Sequence, residues 1–379
     1  SLRRTAGTAA LGSASRSDTA VDAAWMRRAL ALAERGWART RPNPMVGAVV
    51  VHDDEVVGEG WHAEYGGPHA EVVALEAAGE RARGATLYVT LEPCNHHGRT
   101  PPCTDAVLRS GVARVVIATL DPNPVARGGI ERLRAAGIEV TAGVEEDAAR
   151  ALNAAFFHRH EQDSTFVALK LAISLDGRLS ARAGERTAIT GPAANDAVQS
   201  LRAGFDAILI GAGTARADDP LLTARGTPQP RTPPLRVVLD SAASLDVSSR
   251  LVRTARDVPA AVFCTDRAPG DAVARLEAAG VRVQRVQERN GRVDAATVLK
   301  ELYAQGVGAV LCEGGGEVAA ELLSRGLAHR LHLFVAPRFL GAAGTPAFPL
   351  DVPPPGAWRL VRERVHGSDV ELVYDRRKD

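Results

Sequence analysis

The residues best suited to chemistry lie in the first half of the chain: His69-Ala70-Glu71 behind Pro68, then Pro93-Cys94, then Cys103 behind Pro101-Pro102. One imidazole and two thiolates make a tetrahedral zinc site with an open fourth position, as in a catalytic centre and unlike a closed structural one. Zinc acidifies water enough for attack near neutral pH, and Glu71 can accept the water's proton and pass it to a departing amine. That pairing is hydrolytic deamination. Taken alone, His-Ala-Glu is also what a surface or core histidine beside a solvated helix-start carboxylate looks like; the Pro-Cys and the second Cys favour the metal. His96 and His97 lie between the two cysteines, so a four-ligand structural zinc stays open.

Residues two apart in a helix interior point about 200° apart, so His69 and Glu71 can share a site only at a helix tip. Gly66-Gly67-Pro68 supports a helix starting at His69, and Pro101-Pro102 places Cys103 in the first turn of another. Helix N-termini also favour thiolate over thiol.

In the second half, Gly211-Ala212-Gly213-Thr214 follows an apolar run, and Glu313-Gly314-Gly315-Gly316-Glu317 stands between an apolar run and a helical pattern. Such loops let backbone N–H groups approach phosphate at a helix N-terminus, although glycine-rich turns equally serve tight packing. Neither matches G-x-G-x-x-G, so a Rossmann domain is not expected. By residue type alone, Arg202 reads as a solvated helix charge, Lys170 as a snorkelling or salt-bridged strand lysine and Asp176 as a turn residue.

The elements that must carry these residues alternate. A helix starts near Asp22 with Met26, Leu30, Ala33 and Trp37 on one stripe. Strands are expected at 46–51 and 56–57 around an Asp53-Asp54 turn, then at 86–91, 112–119 and 138–141, with helices at 69–78, 103–110 and 145–158. Polar Glu161-Gln162-Asp163-Ser164 reads as a domain boundary. Further strands are expected at 166–173, 207–210, 235–240, 260–263, 281–286 and 309–312, with an exposed loop at 226–234 and antiparallel strands at 358–364 and 370–374. Alternating strands and helices imply an α/β layer fold.

Length and charge set the outer bounds. The 379 residues, 45% of them hydrophobic, call for two domains, and 46 basic against 45 acidic residues give no global attraction to nucleic acid or an anionic membrane. No run of about 18 apolar residues spans a bilayer. Four cysteines are too few for a disulfide framework and favour a reducing, cytoplasmic location; Cys264 and Cys312 read as buried strand thiols. Residues 1–20, rich in Ser, Ala, Thr and Arg, read as a disordered extension.

His-x-Glu with Pro-Cys and a later Cys resembles the cytidine-deaminase-like zinc superfamily. The string TLEPCNHHGRTPPC, with PNPMVGAVV before it and DPNP after it, resembles the deaminase half of the bifunctional riboflavin-biosynthesis deaminase/reductases. LKLAISLDGRL, ITGP, LRAGFDAILIGAGT, ADDPLLTAR, LRVVLDS and CEGGGEVAAELL resemble its reductase half, so the likeness covers about residues 22–376. It implies an α/β protein with an N-terminal cytidine-deaminase-like three-layer α/β/α domain (21–163) and a C-terminal dihydrofolate-reductase-like α/β domain (164–379). The implied substrate is 2,5-diamino-6-ribosylamino-4-pyrimidinone 5′-phosphate, deaminated with zinc and then reduced with NADPH at the sugar C1′.

The resemblance also implies roles. His69, Cys94 and Cys103 hold zinc, Glu71 moves protons and Asn43 lines the pyrimidine pocket. Arg202, Leu222, Arg225 and Glu313 contact the reductase substrate; Thr214, Asp218, Gly315, Gly316 and Glu317 contact NADPH, with Ala172 and Ser241 nearby. Three departures stand out. The DPNPVARGGI run is one residue shorter than usual. Arg186 stands at a substrate-side Ser position and Ala188 at a cofactor-side Trp position, where losing an aromatic wall weakens packing by about 1–3 kcal/mol. The usual Arg after ITGP is Asn195 or Asp196. Small phosphorylated pyrimidines are the expected partners of a homo-oligomer. The competing readings are a deaminase with a weak or repurposed second domain and, outside enzymes, a zinc-stabilised RNA-binding module, against which neutral charge and 4% aromatics count.

Overall fold

The computed structural model of the chain describes residues 16–98, 101–349 and 356–377. Two compact units emerge: one runs from the first helix to Gly36 and from Met45 to Arg150, the other takes Trp37–Pro44 and everything from Ala151 onward. This division precedes the polar Glu161–Ser164 stretch, because the helix that ends there goes with the second unit.

The first unit contains α1 (Arg16–Ala33), β1 (Gly47–His52), β2 (Glu55–Trp61), α2 (Ala70–Ala78), β3 (Thr86–Val89), α3 (Cys103–Ser110), β4 (Arg114–Ile117), α4 (Gly129–Ala135), β5 (Glu139–Ala142) and α5 (Glu146–Leu152). Its sheet runs β2-β1-β3-β4-β5, with β1 antiparallel to both neighbours and β3, β4 and β5 parallel. Asp53 and Asp54 both take positive φ in the β1–β2 turn, as short polar side chains tolerate. Gly47 and Gly60 exist for close approach: a Cβ on Gly47 would lie 2.0 Å from the Ala29 carbonyl of α1, and one on Gly60 2.5 Å from the Ala70 carbonyl of α2. Gly47 pairs with Trp61 and Gly60 with Ala48, so the two helices cover opposite faces and the unit has three layers.

Two expectations change here. The helix starts at Arg16, so the proposed extension of residues 1–20 is contradicted for 16–20, while residues 1–15 lie outside the described residues. A polar first turn offers no apolar stripe by which to be recognised. Trp37 is also off the stripe, since α1 ends at Ala33 and a 3₁₀ turn follows at Glu34–Gly36. Its indole N–H donates to the Ser200 carbonyl at 2.8 Å in the second unit.

The second unit begins with α6 (Ala154–Gln162), split from α5 at Asn153 where one helix was expected. It continues with β6 (Phe166–Ser174), β7 (Arg178–Ser180), α7 (Pro192–Ala203), β8 (Ala207–Gly211), α8 (Ala212–Asp218), β9 (Leu235–Leu239), α9 (Arg250–Arg253), β10 (Ala260–Cys264), α10 (Gly270–Ala278), β11 (Arg282–Arg285), β12 (Glu288–Arg289), β13 (Arg292–Val293), α11 (Ala295–Ala304), β14 (Ala309–Cys312), α12 (Gly316–Ser324), β15 (Arg330–Ala336), β16 (Thr345–Pro346), β17 (Trp358–His366) and β18 (Asp369–Arg376). Nine strands form one sheet in the order β11-β10-β9-β8-β14-β6-β15-β18-β17. The strands from β11 to β15 are parallel, and β18 and β17 add antiparallel. Val167, Leu169, Leu171, Leu209, Val237 and Phe263 build the core on one face, while Ile208, Ile210, Val238 and Val262 pack on the other.

β15 was not anticipated. Arg330 and His332 interrupt its apolar pattern, yet it lies between β6 and β18 with His332 only 2% exposed. Glu371 makes that burial tolerable: its carboxylate reaches His332 Nδ1 at 2.8 Å and His366 Nε2 at 3.2 Å, with Arg362 at 3.6 Å. Burial opposes the charged form of Glu371, but the His332 contact and the flanking charges outweigh it and hold the carboxyl at about 2.

Candidate active sites

The β2–α2 and β3–α3 connections bring the ligand set together at two helix tips. His69 is the extended N-cap of α2, Glu71 lies in its first turn, and Cys103 opens α3 behind Pro102. His69 Nδ1 stands 3.1 Å from Cys103 Sγ and 3.6 Å from Cys94 Sγ, and the three donor atoms lie within 4.8 Å of one another. Zinc bonds of about 2.0–2.3 Å at tetrahedral angles place donors roughly 3.6 Å apart, so this triad suits the ion in donor type and needs only side-chain shifts of a few tenths of an ångström to hold it. Neither His96 nor His97 joins the group among the described residues, which leaves the fourth position open. The Cys103 backbone N–H points at Cys94 Sγ at 3.3 Å and, with the Cys103 thiol and His69, favours thiolate at Cys94.

Glu71 is 4% exposed. Burial pushes its carboxyl up and His69 pulls it back, so the position suits a group that exchanges a proton with a neighbour. Sequence reasoning missed what holds these groups in place. His62 donates through Nδ1 to the Pro68 carbonyl at 3.0 Å and meets the His69 ring edge-on at 5.4 Å. Buried Glu92 spans the Pro93-Cys94 turn: one oxygen accepts the N–H groups of Gly128, Gly129 and Ile130 at 3.0–3.3 Å, and the other accepts that of Asp121 at 3.3 Å. Glu92 therefore caps α4 and stiffens the Cys94 loop together. The only sequence signal was its place in the Glu-Pro-Cys string. In the segment after Asp121, the Arg127 side chain donates to the Asp121 carbonyl at 2.6 Å. Asn43 belongs to the Trp37–Pro44 segment grouped with the second unit.

In the second unit no loop separates β8 from α8, so Gly211–Thr214 is a direct strand-to-helix turn; it lies beside the glycine loop after β14, where the strand order reverses: β8 leads outward to β9, and β14 returns between β8 and β6. Ligands of open α/β sheets bind at such a point, beyond the carboxyl ends of the strands. Thr214 Oγ accepts the Gly315 N–H at 3.0 Å, joining the loops. The α12 N-terminus has no side-chain cap, so its free N–H groups fit a dinucleotide phosphate.

Arg202 of α7 grips Glu313 with two hydrogen bonds of 2.6 and 2.9 Å. Lys170 on β6 is drawn into the same field: burial lowers its pKa and Glu313 opposes the shift. Burial also works against the Glu313 carboxylate, but Arg202 outweighs it and holds the carboxyl below its usual range. Asp218, at the end of α8, is raised by burial and pulled back by Arg186 and Lys170. The structure thus brings Arg202, Glu313, Asp218 and the unassigned Lys170 together. Leu222 is buried at φ +51° in the adjoining loop. Arg225 approaches Gln199 at 3.5 Å, Ala172 is half-buried on β6, and Arg186 and Ala188 are exposed. Ser241 and Glu317 both contact the β12–β13 hairpin, through Val293 and Arg292. Asp176 is a turn residue, accepting from Ser174 Oγ at 2.5 Å and from the N–H groups of Leu340 and Gly341 at 3.0 and 2.8 Å.

Residues 19–119 match the cytidine and deoxycytidylate deaminase zinc-binding region, and residues 165–372 match the RibD C-terminal domain. The chain is 41% identical over 327 residues to riboflavin biosynthesis protein RibD of Synechocystis, covering 86% of this chain and 87% of that one. It is 43% identical to the RibD of Escherichia coli, covering 85% and 89%. Among solved structures, Acinetobacter baumannii RibD superposes with a TM-score of 0.78 at 37% identity, covering 95% of this chain and all of that one. A Thermotoga maritima diaminohydroxyphosphoribosylaminopyrimidine deaminase/5-amino-6-(5-phosphoribosylamino)uracil reductase gives 0.77 at 35%, covering 94% and 99%. A zinc triad in a deaminase layer fold, a dinucleotide-type switch point in a second sheet, and this likeness along both units make the chain a member of the RibD family of riboflavin-biosynthesis enzymes.

Proposed function

We propose that the chain catalyses two successive steps: hydrolytic deamination of 2,5-diamino-6-ribosylamino-4-pyrimidinone 5′-phosphate in the first unit, and NADPH-dependent reduction of the ribosyl to a ribityl group in the second. The observation carrying the first step is the His69–Cys94–Cys103 triad with buried Glu71 in the adjoining helical turn. Zinc, when bound, supplies the Lewis acidity that lets water attack at neutral pH. Glu71 takes the water's proton and delivers it to the amino group as the carbon–nitrogen bond breaks and ammonia leaves. Asn43 is assigned to the pyrimidine.

In the second unit no nucleophile is required, since the hydride comes from the cofactor; the protein positions the reactants and excludes water. Gly315, Gly316 and Glu317 present the α12 N-terminus to the dinucleotide, with Thr214, Asp218, Ala172, Ser241 and Ala188 along its course. Arg202, Arg225, Leu222, Glu313 and Arg186 are assigned to the phosphosugar, where a guanidinium can bind phosphate with two hydrogen bonds. A homo-oligomer in the cytoplasm, with small phosphorylated pyrimidines as partners and no nucleic acid, completes the proposal. The four buried free thiols suit a reducing compartment, and no helix among the described residues is long and apolar enough to cross a membrane.

Exposed Arg186 and Ala188 support one second reading, a deaminase whose reductase unit is weak or repurposed. Metal analysis of the full chain, with ammonia release and NADPH oxidation assayed separately, separates them. Chelation should abolish ammonia release and spare NADPH oxidation with the deaminated substrate. Absence of NADPH turnover would leave the deaminase alone.

A further inference from the structure

NADPH differs from NADH by one phosphate on the adenosine ribose, and an enzyme that prefers it needs a cation where that phosphate falls. The residues proposed to contact the dinucleotide serve its pyrophosphate and its reacting end, and that phosphate calls for a further cation. The strand order says where to look. From the joined glycine loops at β8 and β14, the sheet continues outward through β9 and β10, so a dinucleotide with its nicotinamide toward β6 lays its adenosine beyond β9 and β10.

Ser241 follows β9 there. Its Oγ accepts the Val293 N–H at 3.1 Å, and its carbonyl accepts both the N–H and the hydroxyl of Thr265 at 3.1 and 3.0 Å. These bonds tether the β12–β13 hairpin to the carboxyl ends of β9 and β10. The hairpin turns through Asn290 and Gly291, both at positive φ, and Arg267 holds the turn by donating to the Gly291 carbonyl at 2.8 Å and pairing with Glu288 at 2.8 Å. Arg292, next along, reaches Glu317 in the first turn of α12 with contacts of 3.0 and 3.1 Å. Arg292 is therefore a cation fixed at its backbone and joined at its head to the glycine loop assigned to the cofactor.

The Arg292–Glu317 pair is open to solvent, with the side chains 61% and 75% exposed. An exposed pair contributes little to folding and exchanges partners readily. This differs from the Arg202–Glu313 pair, at 12% and 10% exposure, which cannot open without leaving a buried charge. A phosphate oxygen pair matches the guanidinium fork as well as a carboxylate does and carries more charge.

We propose that Arg292 reads the 2′-phosphate of NADPH, exchanging Glu317 for the phosphate, with Ser241 and Arg267 setting the hairpin that carries it. This rests on the reductase reading of the second unit. The test is equilibrium binding of NADPH and NADH to the full chain by calorimetry. Arg292→Gln should weaken NADPH by about 10- to 100-fold, the range of one charge-assisted pair, with NADH within about twofold. Glu317→Gln should widen the preference for NADPH in the wild-type background and leave it unchanged in the Arg292→Gln background. Arg292→Lys should keep part of the preference. Equal weakening of both dinucleotides, or unchanged NADPH binding, overturns the assignment. Wild-type protein that bound neither dinucleotide would overturn the reductase reading and this proposal together, whereas strong NADPH binding unaffected by Arg292→Gln would overturn the proposal alone.

Discussion

The two units handle charge in opposite ways. In the first, the proposed chemistry rests on side chains 34 residues apart at most: His69 and Glu71 at the tip of α2, Cys103 at the tip of α3, and Cys94 in the loop before it. In the second, Lys170, Arg202, Asp218, Glu313 and Glu317 come from five separate elements or loops gathered at the carboxyl ends of parallel strands. A metal triad tolerates little displacement, because its bond lengths are short and directional. A dinucleotide site spreads its binding over many weaker contacts, so no single residue defines it. Local spacing therefore identifies the first kind of site, and topology is needed to assemble the second.

Four variants test this contrast. Glu71→Ala should reduce ammonia release by about 100- to 10,000-fold while zinc content stays near one ion per chain and NADPH oxidation of the deaminated substrate continues. Loss of both activities would mean that the sites are not independent. Glu313→Gln should be costly in a different currency: it leaves Arg202 and Lys170 buried without their carboxylate, destabilising the second unit by about 3–5 kcal/mol, visible as a lower unfolding midpoint.

Glu371 gives a pH signature to the second unit. Its folded pKa of about 2 lies below the ordinary 4.5, so it stabilises the fold above pH 4.5, and that stability is lost as pH falls from 4.5 through 2. The whole shift is worth about 3 kcal/mol, which partial solvent access reduces to about 2. In Glu371→Gln this acid-dependent part of the unfolding curve should vanish. Least in size, Ala188→Trp should restore the aromatic wall and tighten NADPH by about five- to tenfold, read by calorimetry. No tightening would mean that residue 188 does not face the dinucleotide.

Much of the fold was legible from periodicity. The strand at 309–312 and the helix at 103–110 coincide with expectation, and most other elements shift by a residue or two. The misses share a cause. β15 is buried despite Arg330 and His332 because partners distant in sequence, Asp375 and Glu371, accept their charge or proton. Trp37 leaves the α1 stripe because its ring fits over Gly204, where a Cβ would lie 1.9 Å from the indole. Lys170, read as a snorkelling or salt-bridged strand lysine, is half-buried in the field of Glu313, a placement that depends on β14 entering the sheet next to β6.

The His69–Cys94–Cys103 group, the glutamate proposed to carry its proton, the alternation of strands and helices and the family are all readable from the chain, because each rests on residues close along it or on motifs that keep their order. Only the tertiary structure decided that Glu92 locks the Cys94 loop onto α4, that Lys170 joins Arg202 and Glu313, and that Arg292 meets Glu317 beyond β9. Those contacts join residues 25 to 143 positions apart, and no local spacing encodes a hydrogen bond whose partners meet only after the sheet has closed.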